Sequence, residues 1–135
     1  MAKRDIVTLD QAHALYEAHG YSAAVRSGRF LFVSGQVGAQ ADGSPVEDIA
    51  GQIDLAFRNL DAVLKAAGCT FDDIVDVTSF NTDPETQFGA VMEAKARYFN
   101  NRPYPNWTAV GVSWLAGFQF EIKVIARIPE NADHD

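Results

Sequence analysis

From Glu47 to Ala67 the apolar residues Ile49, Ile53, Ala56, Phe57, Leu60, Val63, Leu64 and Ala67 recur at the spacing of one helical stripe. Gly68 follows the last of them, where a left-handed cap is expected, so the pattern predicts a helix here. A second helix is predicted to open at Thr82-Asp83-Pro84, with the proline near its first turn. It carries Phe88, Val91, Ala94, Lys95 and Tyr98-Phe99, and Asn100-Asn101 stop it. Elsewhere the period falls to two. Phe120, Ile122, Val124, Ala126 and Ile128 take one face of a strand, and Gln119, Glu121, Lys123 and Arg127 the other, with Ile125 out of pattern. The apolar face should pack beneath the helices.

YSAAVRS from Tyr21 and RFLFVSG from Arg29 are β-prone runs joined through Gly28, which predicts a hairpin. IVDVTSF from Ile74 and WTAVGVSW from Trp107 predict two more strands. The fold class is α+β, in the order β-β-α-β-α-β-β, with both helices on one face of the sheet. Two helices cover only one side. Trp107, Ala109 and Gly111 share a face opposite Val110 and Val112, and that face is expected to lack helices and to be covered by a partner subunit. A single domain is expected over 21–129, after an irregular lead-in over 1–20 and before a tail over 130–135.

With 135 residues, 47% apolar and 21% charged, the chain can bury an adequate core as one globular domain. The formal net charge of −7 and the scatter of basic residues, with no cluster beyond Lys3-Arg4, argue against nucleic-acid binding. Cys69 is the sole cysteine, so an intrachain disulfide is excluded and a reducing compartment fits. No run approaches a membrane span, and no apolar run follows the early basic residues, so a cytoplasmic protein is expected. His13, His19 and His134 make no metal motif, and no metal is expected.

Several segments resemble the reactive-intermediate deaminase (Rid) family. YSAAVRSGRFLFVSGQVG is similar to its opening hairpin, with Tyr-Ser and Ser-Gly-Gln elements. NLDAVLKAAGCTFDDIVDVTSF and FEIKVIARIP resemble its central and closing segments, in the right order, over roughly residues 21 to 129. The PYPNWTAVGVSWLAGF run is more like the divergent YjgH-type branch. The resemblance implies a chorismate-mutase-like fold, a homotrimer with one small-molecule cleft at each subunit interface, and no metal or organic cofactor. In active members the reaction is hydrolysis of a small imine or enamine acid to a 2-oxo acid and ammonia. An arginine clamps the carboxylate, and a carboxylate side chain with backbone groups holds the water.

Glu121 matches the family glutamate and is the candidate catalytic residue: it can orient or deprotonate a water, or donate a proton if burial raises its pKa. A strand carboxylate beside Lys123 or Arg127 is equally the ordinary polar face. Ser34 and Gly35, in the Ser-Gly-Gln element, are candidates for binding an anion or imine nitrogen, against a plain turn. Tyr21 is expected to line the cleft. Trp107 stands where the deaminases have arginine, in Pro105-Asn106-Trp107-Thr108. An indole has one N–H donor and no charge, whereas guanidinium grips a carboxylate with two parallel bonds. Arg102, five residues earlier, is a possible anion partner in its place. Met92 replaces the family asparagine on the second helix, and with Ala109 completes the expected cleft lining.

The chain is therefore expected to be weak or inactive as a 2-imino acid deaminase, with a cleft better suited to a neutral or aromatic ligand. Hydrolysis of a different imine, enamine or amide, and a non-catalytic binding or chaperone-like role, are the alternatives. An endoribonuclease conflicts with the acidic balance.

Overall fold

The computed structural model describes residues 3–130. Seven strands, β1 (Asp5–Ile6), β2 (Ala24–Ser27), β3 (Phe30–Val33), β4 (Gln36–Val37), β5 (Ile74–Asn81), β6 (Asn106–Gly111) and β7 (Phe120–Arg127), form one sheet in the order β1-β2-β3-β7-β5-β6. β4 continues the line of β3 along the same edge of β7. The helices are α1 (Leu15–His19), α2 (Ile49–Ala66) and α3 (Pro84–Tyr98). This is the α+β class that the sequence predicts. β5 and β6 are parallel, which requires the α3 crossover between them, and the other pairings are antiparallel. No helix among the described residues is long and apolar enough to cross a membrane.

The α2 stripe is buried as its spacing implies: Ile53, Ala56, Phe57, Leu60, Val63 and Leu64 are fully enclosed. They meet Phe120, Ile122, Val124 and Ala126 of β7, which are equally enclosed. Asp48 caps α2 by accepting from the Gly51 N–H at 2.8 Å, and Gly68 ends it at φ 76°. Phe57 sits at the centre, stacked on Tyr98 at 5.1 Å and Phe120 at 5.9 Å.

Three expectations need correction. The lead-in is not irregular. β1 pairs with β2, tied by the Arg26 guanidinium donating to the Asp5 carboxylate at 3.1 Å, and α1 closes at Gly20 in the left-handed region. Both elements are too short for periodicity to register. The order also gains β4, only two residues long. Residues 131–135, most of the expected tail and His134 with it, lie outside the described residues.

The third correction concerns β6. Trp107 pairs with Val77 and Ala109 with Ser79, both buried on the helix side of β5. The Trp107 face therefore looks toward α3, not away from the helices. The alternation in β6 was legible, but each face mixes apolar and small residues, so parity carried no sign. Helix cover stops near Trp107, and Ala109 and Gly111 remain exposed. The helix-free side instead carries a row across three strands, Val25, Phe32 and Ile125, with Val110 exposed at its far edge.

One irregularity positions the chemistry. Along β3, Phe32 pairs with Ile125; along β4, Gln36 pairs with Ile122. Between them the strand carries one residue more than β7 does, a bulge at Val33–Gly35. The extra residue resets the alternation, so Gln36 faces the core opposite Ile122.

Candidate functional site

The bulge brings Ser34 and Gly35 against Glu121. Gly35 approaches so closely that a Cβ there would collide with the Glu121 carboxylate. Gln36 anchors the segment from inside. It is 1% exposed, accepts from the Tyr16 hydroxyl at 3.0 Å and donates to the Ser34 carbonyl at 3.1 Å. The Ser34 hydroxyl donates to the Ser22 carbonyl at 2.6 Å, which leaves its oxygen as an acceptor. Tyr21 stands over Tyr16, edge to face at 5.1 Å. Tyr21, Ser34, Gly35 and Glu121 thus line one open depression with Phe32 and Lys123, about 490 Å³ in volume.

Glu121 is half-buried and forms no ion pair among the described residues. Loss of water pushes its pKa above the ordinary carboxylate value, and the Lys123 charge opposes this only in part. The neighbouring Tyr21 hydroxyl is raised too, first by burial and then by the Glu121 charge. A second hollow of about 270 Å³ shares Tyr21, Gly35 and Glu121 and runs toward Leu15, His19, Leu115 and Phe118. The lead-in helix therefore walls the carboxylate's surroundings, a contribution the sequence reading did not anticipate.

Met92, Trp107 and Ala109 lie elsewhere. They line a groove of about 380 Å³ between α3 and β6, with Ser79, Phe88 and Lys95. The Trp107 Nε1–H donates to the Ser79 hydroxyl at 2.9 Å, Phe99 packs edge-on to the indole at 5.2 Å, and the Lys95 ammonium rests 4.5 Å from the ring centroid. Ser79 pairs with Ile122 on β7, whereas Glu121 beside it pairs with Phe80. Glu121 and Trp107 therefore occupy opposite faces of the sheet, and one chain does not bring them together. Arg102 does not reach the groove; its guanidinium sits over the Tyr104 ring at 5.0 Å.

Lys95, Ser79 and Phe88 were not recognised as site residues from sequence. The available signal was the helical spacing of Phe88, Met92 and Lys95, which places them along one side of α3. Cys69 is buried, and desolvation together with the Asp73 charge pushes its thiol up to about 11, which keeps it protonated.

The family model for Endoribonuclease L-PSP matches residues 11–128. RutC family protein YjgH of Escherichia coli strain K12 is 64% identical over 130 residues, covering 96% of this chain and 99% of its own. The 2-iminobutanoate/2-iminopropanoate deaminase of Rattus norvegicus is 34% identical over 126 residues, covering 91% of this chain and 89% of its own. Among solved structures, Protein YJGH superposes with a TM-score of 0.92 at 63% identity, covering 96% of this chain and all of the other. RidA from an Antarctic Psychrobacter gives a TM-score of 0.81 at 31% identity, covering 90% of this chain and 98% of its own.

Proposed function

This chain belongs to the endoribonuclease L-PSP family, as a Rid protein of the YjgH type, and from that premise we propose that it assembles as a homotrimer whose intersubunit clefts bind a small molecule. The observation that carries this reading is the division of the candidate residues. The Glu121 group lies on the sheet face that α2 and α3 leave uncovered, and the Trp107 group lies in the α3–β6 groove. Each is an open half-site, and a neighbouring copy is the economical source of the missing wall. The exposed Phe32 and Val110 give the helix-free face an apolar surface to bury.

In such a cleft the chemistry is addition of water to a C=N bond. Glu121 takes a proton from the attacking water and delivers it to nitrogen, giving a carbinolamine; a second proton, passed from the carbinolamine hydroxyl to nitrogen by the same carboxylate, lets the C–N bond break to a carbonyl and ammonia. For 2-imino acids the reaction is weak, because the indole of Trp107 stands in place of a guanidinium that would grip the carboxylate with two parallel bonds and fix its plane. A charge-assisted bond is worth about 1.5–3 kcal/mol, so its loss costs about tenfold to a hundredfold in affinity. The desolvated Glu121 favours a second reading, hydrolysis of a less polar imine, enamine or amide, since a raised pKa suits proton transfer near neutrality.

Light scattering and a coupled assay test the proposal together. The expected results are a particle of three times 14.7 kDa and little acceleration of 2-iminopropanoate hydrolysis when a dehydratase generates the imine. A stable monomer at micromolar concentration overturns the shared cleft. Deamination rivalling an arginine-bearing Rid protein overturns the assignment of Trp107.

A further inference from the structure

We propose that Lys95, held over Trp107, is the anion-binding group of the α3–β6 groove, and that the groove takes a carboxylate with a flat apolar body. The inference rests on reading this groove as half of a ligand cleft. Its lining contains one charged side chain, Lys95, and no carboxylate. Lys95 forms no ion pair among the described residues, although it is half-buried, and its ammonium stays 4.5 Å from the indole centroid. The other cations near α3 are engaged elsewhere: Arg97 pairs with Asp54 at 3.0 Å, and Arg102 lies over Tyr104.

The indole is a fixed platform for that ammonium. Its N–H is committed to Ser79 and its edge to Phe99, so the ring cannot turn without breaking both contacts. Ser79 is 1% exposed and its oxygen accepts from the indole, which leaves the hydroxyl hydrogen to donate into the groove. A carboxylate meeting Lys95 gains a charge partner and can accept from Ser79. Beyond it, Met92 and Phe88 are 43% and 63% exposed and offer an unfilled apolar surface. An ammonium attracts a carboxylate as a point charge and does not fix its plane, so orientation must come from the ligand's body. That selects benzoate-like acids over acetate-like ones.

The test uses the full chain with Trp114→Phe, so that Trp107 is the sole tryptophan, and follows its emission during titration with sodium benzoate, acetate and benzyl alcohol. Saturable binding of benzoate, much tighter than that of acetate, is expected. Lys95→Met should weaken benzoate binding about tenfold or more. It should leave benzyl alcohol unaffected, while Lys95→Arg keeps most of the benzoate affinity. Equal benzoate affinity with and without Lys95, or no benzoate binding to the parent protein, overturns the inference. Light scattering on the same samples separates the two readings. A trimer indifferent to Lys95 removes the lysine assignment alone, whereas a monomer with Lys95-dependent binding removes the intersubunit cleft and leaves the anion site standing.

Discussion

The carboxylate of Glu121 is half withdrawn from water and has no cation within ion-pairing distance among the described residues, so burial penalises its charged form relative to the unfolded chain. Its folded pKa stands above the ordinary 4.5, and the folded protein holds more protons than the unfolded chain between those two values. Stability therefore falls as pH rises through that window. Glu121→Gln should raise the melting temperature at pH 7 relative to the parent and lose that advantage near about pH 3.5, where folded and unfolded carboxyls are both protonated. An equal gain at both pH values would contradict this account. Gly35 tests the same contact from the other side. Gly35→Ala puts a methyl group where the Glu121 carboxylate stands, and because the end of that flexible side chain can swing aside, it should cost about 1 kcal/mol or less in denaturant unfolding. Glu121→Ala should recover most of that loss in the double variant, and simple additivity would show the collision to be irrelevant. Glu121 and Ser34-Gly35 were readable because a family motif marked them. Lys95 was not, because a lysine on a helix ordinarily runs its stem along the surface with its charge in water, and only the indole beneath it shows otherwise.

Among the elements, α2 holds both the sheet and the segment that leads into the site. Gln52 is buried on its apolar face, donates to the Val46 carbonyl at 2.8 Å and accepts from the Gln119 N–H at 2.7 Å, just ahead of β7. Asn59, two turns later, donates to the Val37 and Ala39 carbonyls at 2.9 and 3.1 Å. Gln52→Leu keeps the volume but strands two backbone groups. It should lower stability by about 1–3 kcal/mol, seen as a lower urea midpoint at unchanged slope. A variant as stable as the parent would mean that water replaces the amide. α2 and β7 were legible because many residues repeat one period and one face is uniformly apolar. β1, β4 and α1 were not, because two to five residues make no period. The sidedness of β6 failed for a different reason. It is an edge strand with Ala109, Val110 and Gly111 all exposed, so burial did not sort its residues into inner and outer sets.

Across the whole molecule, the proposed assembly makes the helix-free face an interface, and Phe32, 42% exposed on β3, is a large side chain within it. Phe32→Lys should leave the monomer folded, since the ring lies outside the core, and should shift the light-scattering mass toward a single chain. An unchanged mass would place the interface elsewhere. The sheet order holds one further consequence. β7, the latest strand in the chain order, lies between β3 and β5 and joins the hairpin side of the sheet to the β5–β6 side. During synthesis the ribosome releases β3 and β5 long before the strand that unites them. Until Phe120–Arg127 emerges, each presents a bare backbone edge and the nascent chain has no closed core. Acquisition of the fold must therefore wait until Phe120–Arg127 has left the ribosome, and stalled translation products that end before Phe120 should depend on chaperones to stay out of aggregates.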